Sequence, residues 1–288
     1  HPGKAHAGEV HVIDIGIPAD TPVTPRAGRI LASVLDGLPH RTADSTKFSS
    51  GTVVVIGGSP GLTGAPALTA AAAQRAGAGY VTIASDADVP HRPVEVMQRG
   101  LDGLDALLER ATAVVLGPGL GAGNAELARD LYARVEVPLV LDADGLNAFE
   151  GRDFPDRPAP TVLTPHAGEL RRLVGGDPKA HRLACARAGA EHARAILVLK
   201  GDDTIVVGER IAISPGGAPG LASAGTGDVL SGVIAALLAR GAEPEHATCA
   251  AVYAHLRAGQ LAAEPHGPDG VIASDVIDRL PEALGSAR

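Results

Sequence analysis

Five consecutive residues, Ala224-Gly225-Thr226-Gly227-Asp228, carry the strongest chemical signal in this chain. Two glycines let a turn bring its backbone close to an anion. The apolar run that follows, Val229-Leu230-Ser231-Gly232, marks a helix start whose N–H groups point at it. An acidic side chain in such a cradle is electrostatically costly unless it moves a proton. Asp228 is therefore expected to accept a hydroxyl proton while the cradle carries the charge of a transferring phosphoryl group. The bland alternative is a carboxylate that only complements the helix dipole.

Four other loops have the composition of binding loops. Lys200-Gly201-Asp202-Asp203-Thr204 is an ordinary hairpin turn taken alone, but it precedes the glycine turn closely enough to be a second loop on one edge. Gly57-Gly58-Ser59-Pro60-Gly61-Leu62-Thr63-Gly64-Ala65-Pro66 is not a Walker loop, because no Gly-Lys-Ser/Thr closes it. It still suits a phosphate or a flat ring approaching backbone. Gly117-Pro118-Gly119-Leu120-Gly121-Ala122 satisfies the loose dinucleotide form, and Asp142 ends the next strand about 20 residues on. A dinucleotide-binding dehydrogenase stays open on these residues, although Pro118 lies inside the tight turn and the unit comes third in the sheet. His166 and Glu169, at a strand-to-helix junction, could share a helical face, and His166 is expected to touch a ligand rather than cap the helix. No His or Cys pattern completes a zinc site.

These loops need strands to hold them, and apolar runs supply them. Val53–Ile56, Tyr80–Ala84, Ala113–Leu116, Leu139–Leu141, Val162-Leu163 and Ile196–Leu199 read as buried strands, with Thr204–Val207 and Arg210–Ile213 as a hairpin. Helices are expected over 64–77, with Pro66 in the first turn, and over 226–239, 244–263 and 274–280. Strands alternating with helices predict an α/β fold, a mostly parallel central sheet with helices on both faces. Ligands of such sheets bind beyond the strands' C-terminal ends, so 57–65, 117–123, 142–147, 164–169, 200–204 and 223–228 are expected to line one site. Ahead of this, 9–15 alternate like a short strand, Pro18, Pro22 and Pro25 mark a linker, and 29–46 read as linker too. The compact domain is expected to span 47–288.

Composition narrows the function classes. The 288 residues are 45% hydrophobic and only 20% charged, which excludes disorder. No stretch of about 18 apolar residues runs uninterrupted, so no membrane span is expected. A net charge of −8 argues against nucleic acid as a partner. Cys185 and Cys249 cannot build a disulfide framework and fit a reducing cytoplasm. The only methionine is Met97, so His1 is not a natural start and a missing N-terminal part is expected.

Taken together, VVVIGGSPGLTGAPALTAAAAQRAGAGYVTIA (53–84), LGPGLG (116–121), LDADGLNAF (141–149), LTPHAGEL (163–170), LKGDDTIV (199–206) and SAGTGDVLSGVIAALLARG (223–241) resemble the ADP-dependent NAD(P)H-hydrate dehydratases of the ribokinase-like superfamily. The resemblance covers 47–284, and residues 1–46 look like the tail of a preceding epimerase domain and a linker. It implies a three-layer ribokinase-like fold and repair of hydrated NADH and NADPH (NADHX and NADPHX). ADP, or ATP, would phosphorylate the ring hydroxyl with Mg²⁺ present, and loss of phosphate would restore the cofactor. On matched positions it implies Asp228 as base and Gly225, Thr226 and Gly227 as anion hole. Lys200, Gly201, Asp202, Asp203, Thr204 and Gly227 would bind nucleotide, and Ala65, Gly119, Gly121, His166 and Asp228 the hydrate. Asn147 and Glu169 would organise magnesium. Asp202 and Asp203 depart from the smaller residues common in that loop. A homo-oligomer, commonly a tetramer, is implied as well. Within the same fold the competing reading is a small-molecule kinase for a vitamin precursor or sugar; a nucleotide sensor without turnover is disfavoured by the intact Asp228.

Overall fold

The computed structural model describes residues 6–8, 11, 13–17 and 26–285. Ten strands form one sheet: β1 (Ala27–Arg29), β2 (Thr52–Ile56), β3 (Tyr80–Ala84), β4 (Met97–Arg99), β5 (Ala113–Leu116), β6 (Leu139–Leu141), β7 (Thr161–Leu163), β8 (Ile196–Leu199), β9 (Ile205–Val207) and β10 (Ile211–Ile213). The order across it is β1-β10-β9-β8-β7-β6-β5-β2-β3-β4. Strands β2 to β8 pair in parallel, while β9 runs antiparallel to both β8 and β10. The helices are α1 (Gly64–Arg75), α2 (Leu104–Leu108), α3 (Ala125–Arg134), α4 (Asp144–Asn147), α5 (Ala167–Val174), α6 (Arg182–Ala193), α7 (Thr226–Ala239), α8 (Pro244–His266) and α9 (Ala273–Gly285).

The apolar strands are buried on both faces because each face has its own helical layer. Val53, Val55, Val115, Val140 and Val198 point into one core with α1, α7, α8 and α9. Val54, Ile56, Leu116, Leu139 and Leu141 alternate to the other, against Leu131 of α3 and Leu146 of α4. Three of the six aromatic side chains, Tyr132, Phe149 and Phe154, pack on one another in this second layer. The expected three-layer arrangement, a mostly parallel sheet with helices on both faces, is the one formed.

Helix α7 is apolar almost all round and runs against α1 closely enough to need a glycine. A Cβ on Gly232 would lie 2.2 Å from the Thr69 carbonyl oxygen. Gly232→Ala should force the two helices apart and cost about 1–3 kcal/mol. A thermal melt matching the wild type would show that the contact gives way freely.

The segment read as linker, 29–46, differs from expectation. β1 pairs with β10 in parallel, and Ile30, Leu35 and Leu38 are buried in the α1/α7/α8 core. The His246 ring of α8 bonds the Val34 carbonyl at 2.6 Å and is half-buried against this segment. Prolines and polar residues mask this short apolar set in the sequence. The strand expected at 9–15 is not formed at 11 and 13–15, and 9, 10 and 12 lie outside the described residues, as does all of the proline-rich 18–25.

Candidate active site

The chain leaves β2 for β3 and β4 on one side, then returns to lay β5 to β8 on the other, so the order reverses between β2 and β5. At that crevice the two glycine loops bond to each other. Gly58 N–H donates to the Pro118 carbonyl at 3.0 Å, and Ser59 Oγ to the Gly119 carbonyl at 3.1 Å. A Cβ on Gly57 would sit 2.1 Å from the Pro118 oxygen, which is why this strand must end in glycine. Ala65 opens α1 beside this crevice, and Gly121 N–H donates to Asp144 Oδ2 at 2.8 Å. Ala65, Gly119 and Gly121, the positions expected to meet the hydrate, thus lie on loops at the switch point, where α/β sheets bind ligands.

The adjoining half is built on α7. Gly225, its N-cap, adopts a left-handed φ of 88° and has no side-chain cap, leaving the first N–H groups of the helix to an anion. A Cβ there would reach within 2.5 Å of Leu68 in α1, so the cradle adjoins the crevice. The Thr226 hydroxyl is engaged with the Leu221 and Ser223 carbonyls at 2.7 and 2.9 Å, which is compatible with a cradle made of backbone N–H groups.

Behind the cradle lies a buried charge cluster. Lys200 Nζ, at the end of β8, donates to Asp142 Oδ1 at 2.9 Å and lies 3.9 Å from Glu169 Oε2. A Cβ on Gly227 would be 3.3 Å from that ammonium, so Lys200 rests against the first turn of α7. Asp142 Oδ2 accepts from Ser231 Oγ at 2.7 Å, and Thr164 Oγ1 lies 3.4 Å from the same hydroxyl. Burial first, then the Asp142 charge, and finally Glu169 push the Asp228 carboxyl up to about 7 against the opposing pull of Lys200. A carboxylate poised there takes a proton readily at neutral pH.

This geometry removes the dehydrogenase reading. Asp142 is 2% exposed and engaged by Lys200 and Ser231, leaving no carboxylate free for a ribose hydroxyl. His166 is also not as expected: its Nδ1 accepts from the Gly168 and Glu169 N–H groups, while Glu169 Oε2 accepts from the His166 N–H. The pair forms a reciprocal cap on α5, although the exposed His166 ring still borders the site.

Asn147 and Glu169 are not gathered around a metal position. Asn147 donates to Asp144 Oδ1 at 3.2 Å and accepts from Arg172 at 2.8 Å, and Glu169 is bound into its cap. Among the described residues no group of three or more His, Cys, Asp or Glu side chains could hold a metal ion. The donor set does not fit a protein-built metal cage.

The loop after β8 solves its own charge problem with a residue that motif reading missed. Arg182 of α6 donates to the Asp203 carbonyl at 2.9 Å, and its positive charge faces both Asp202 and Asp203. Asp202 Oδ1 accepts from Gly217 N–H, and Thr204 Oγ1 donates to the Gly201 carbonyl. Between this loop and α8 lies a cavity of about 240 Å³ with aliphatic walls from Leu221, Leu230, Val252 and Leu256, reached by Lys200 and Gly227. His255, also on its wall, hydrogen-bonds the Thr226 backbone, and burial holds its ring neutral, with a pKa lowered to about 4.

A sequence model described as NAD(P)H-hydrate dehydratase matches residues 53–282, the span that builds both halves of this site. The chain belongs to the NAD(P)H-hydrate dehydratase family. It is 39% identical, over 98% of its length, to the bifunctional NAD(P)H-hydrate repair enzyme Nnr of Moorella thermoacetica, and spans 59% of that relative. The ADP/ATP-dependent NAD(P)H-hydrate dehydratase of Bacillus subtilis, co-crystallised with ATP and Mg²⁺, superposes with a TM-score of 0.81 at 30% identity. The match covers 90% of this chain and 98% of that one. A ribokinase-like superfamily protein of Enterococcus faecalis reaches 0.81 at 27% identity, covering 93% and 98%. Ser231, Arg182 and His255 are site neighbours that no sequence motif singles out, whereas Asp142 carried a sequence signal that pointed to a ribose ligand rather than to an anchor for Lys200.

Proposed function

We propose that this chain restores NADH and NADPH from their hydrates, with ADP or ATP as phosphoryl donor. The observation that carries the reading is Asp228: a carboxylate poised near neutral pH inside an anion-binding helix start. The nicotinamide end of the hydrate would lie in the crevice lined by Ala65, Gly119 and Gly121, its ring hydroxyl toward Asp228. The adenine nucleotide would fill the aliphatic cavity, held through dispersion contacts and backbone rather than aromatic stacking, with its phosphates at Gly225–Gly227 and Lys200.

Asp228 takes the hydroxyl proton as the oxygen bonds to the donor's terminal phosphorus, and the bond to the leaving nucleotide breaks. The N–H groups of the cradle and Lys200 stabilise the charge on the transferring group. The ester's C–O bond then breaks, expelling phosphate under the push of the ring nitrogen's electron pair, and transfer of a proton from the adjacent carbon to the departing phosphate or water completes the double bond. Hydroxide is a poor leaving group and phosphate a good one, which is why an elimination needs a kinase-like step. Magnesium, carried on the nucleotide's phosphates with most of its waters, would neutralise their charge and needs no cage from the protein.

The reading extends to the whole protein: an epimerase domain fused ahead of this one, a homo-oligomer, and action in the reducing cytoplasm, with the boundary before β1 rather than at Lys47, because β1, Ile30, Leu35 and Leu38 belong to this sheet and core. The greater length of the bifunctional relatives supports the first. No helix among the described residues is long and apolar enough to cross a membrane. The test incubates the protein with NADHX or NADPHX, Mg²⁺, and ADP or ATP. Absorbance of the reduced nicotinamide should return; its absence with every nucleotide and hydrate combination overturns the proposal, and a stable phosphate ester would mark a simple kinase.

A further inference from the structure

We propose that Asp142 is the positioning residue of this site: one oxygen holds the Lys200 ammonium against the first turn of α7 while Ser231 fixes the other. This places the Asp142 carboxylate within electrostatic reach of Asp228. The inference deepens the reading of Asp228 as base and rests on it.

The geometry is that of a clamp. Lys200 has four flexible side-chain bonds and would sweep the cavity unless anchored, yet its ammonium is held at 2.9 Å from Asp142 Oδ1. Asp142 cannot turn away, because its Oδ2 accepts from Ser231 Oγ at 2.7 Å and its Oδ1 also accepts from the Ala143 N–H at 2.9 Å. Ser231 sits one turn along α7 from Asp228, so the helix that carries the base also carries the clamp's far end. Asp142 is 2% exposed and Ser231 fully buried, so water cannot substitute for either contact.

The charges facing Asp228 come from each neighbouring element. Asp142 from the end of β6 raises its proton affinity, Lys200 from β8 lowers it, and Glu169 from α5 raises it by less. From α8 the neutral His255 adds no charge. Asp142 therefore acts twice. It is a like charge in its own right, and it keeps Lys200 from swinging fully onto Asp228. Removing the Asp142 charge should lower the Asp228 midpoint by both routes, since a freed ammonium would approach the carboxylate.

Asp142→Asn keeps the shape and removes the charge. In carboxyl-region NMR, the Asp228 titration midpoint should move about one pH unit or more below that of the wild type. In the hydrate assay kcat/KM should fall on the order of 10–100-fold, with its acid limb displaced the same way. Ser231→Ala retains the Asp142 charge, so the midpoint should stay while kcat/KM falls about tenfold through loosened geometry. A purely structural role would leave the Asp228 midpoint unmoved in a folded Asp142→Asn protein, and that result overturns the proposal. Should Asp142→Asn not fold, Ser231→Ala decides: wild-type kcat/KM there removes the clamp. Wild-type protein inactive on the hydrates would instead defeat the functional reading, leaving the NMR midpoint to judge Asp142 by itself.

Discussion

Asp228→Asn is expected to abolish cofactor repair, lowering kcat by about 10²-fold or more, while adenine nucleotide still binds. The amide preserves volume and leaves the α7 N–H groups in place, so the cradle survives and only proton acceptance is lost. Calorimetric nucleotide titration beside the hydrate assay separates the two, and turnover retained within a few-fold would remove Asp228 as base. In the wild type, kcat/KM should rise with pH through about 7, as the carboxyl loses its proton. The same residue links pH to stability. Its folded pKa lies above the unfolded value of 3.8, so the folded state binds this proton more tightly. The stabilisation is full below the unfolded value and is lost as pH rises toward about 7. Asp228→Asn should therefore melt higher than the wild type at pH 8, by roughly 2–4 °C per kcal/mol relieved, with the difference closing near pH 4. Equal melting at pH 8 would show that the folded protein carries no charge strain at this position.

Lys200→Met should have the largest effect on stability. It removes the cation between Asp142, 2% exposed, and Glu169, 7% exposed at its side chain, and leaves their charges buried. Breaking a buried pair from one side costs about 3–5 kcal/mol. The melting temperature at neutral pH should fall accordingly. Repair should fall by about 10²-fold or more, because the missing ammonium is one of the charges facing the transferring phosphoryl group. Lys200→Arg should not restore it: a planar fork cannot occupy the place of a compact ammonium lying near Gly227. Melting curves with and without ADP check this, and a wild-type melting temperature would mean that the two carboxylates do not depend on the ammonium.

Much of the scaffold was legible because strand and helix ends are marked by local chemistry. β3, β5, β6 and β8 run over the expected spans, and α7 runs from Thr226 to Ala239 as its glycine turn and apolar content imply. The loops that bear the site were legible for the same reason: a parallel strand must end in a turn, and turns that hold anions are rich in glycine. Short strands with little apolar content were not. β1 and β4, at the two ends of the sheet, take their conformation from a neighbour's ladder rather than from their own residues.

By itself the sequence determined which elements form, which turns carry chemistry, and that Asp228 and Lys200 belong to one edge. Tertiary structure alone decided what those residues touch. Lys200 meets Asp142 across 58 residues, and Asp142 meets Ser231 across 89. The physical reason lies in the crossovers. Each parallel strand returns to the same edge after a helix, so groups remote in sequence converge there, and their partners depend on strand order and helix packing rather than on local spacing. The same convergence turned Asp142 from an apparent ribose ligand into an anchor for Lys200. It also gave Asn147 to Arg172 and Asp144, and bound Glu169 into the cap of its own helix.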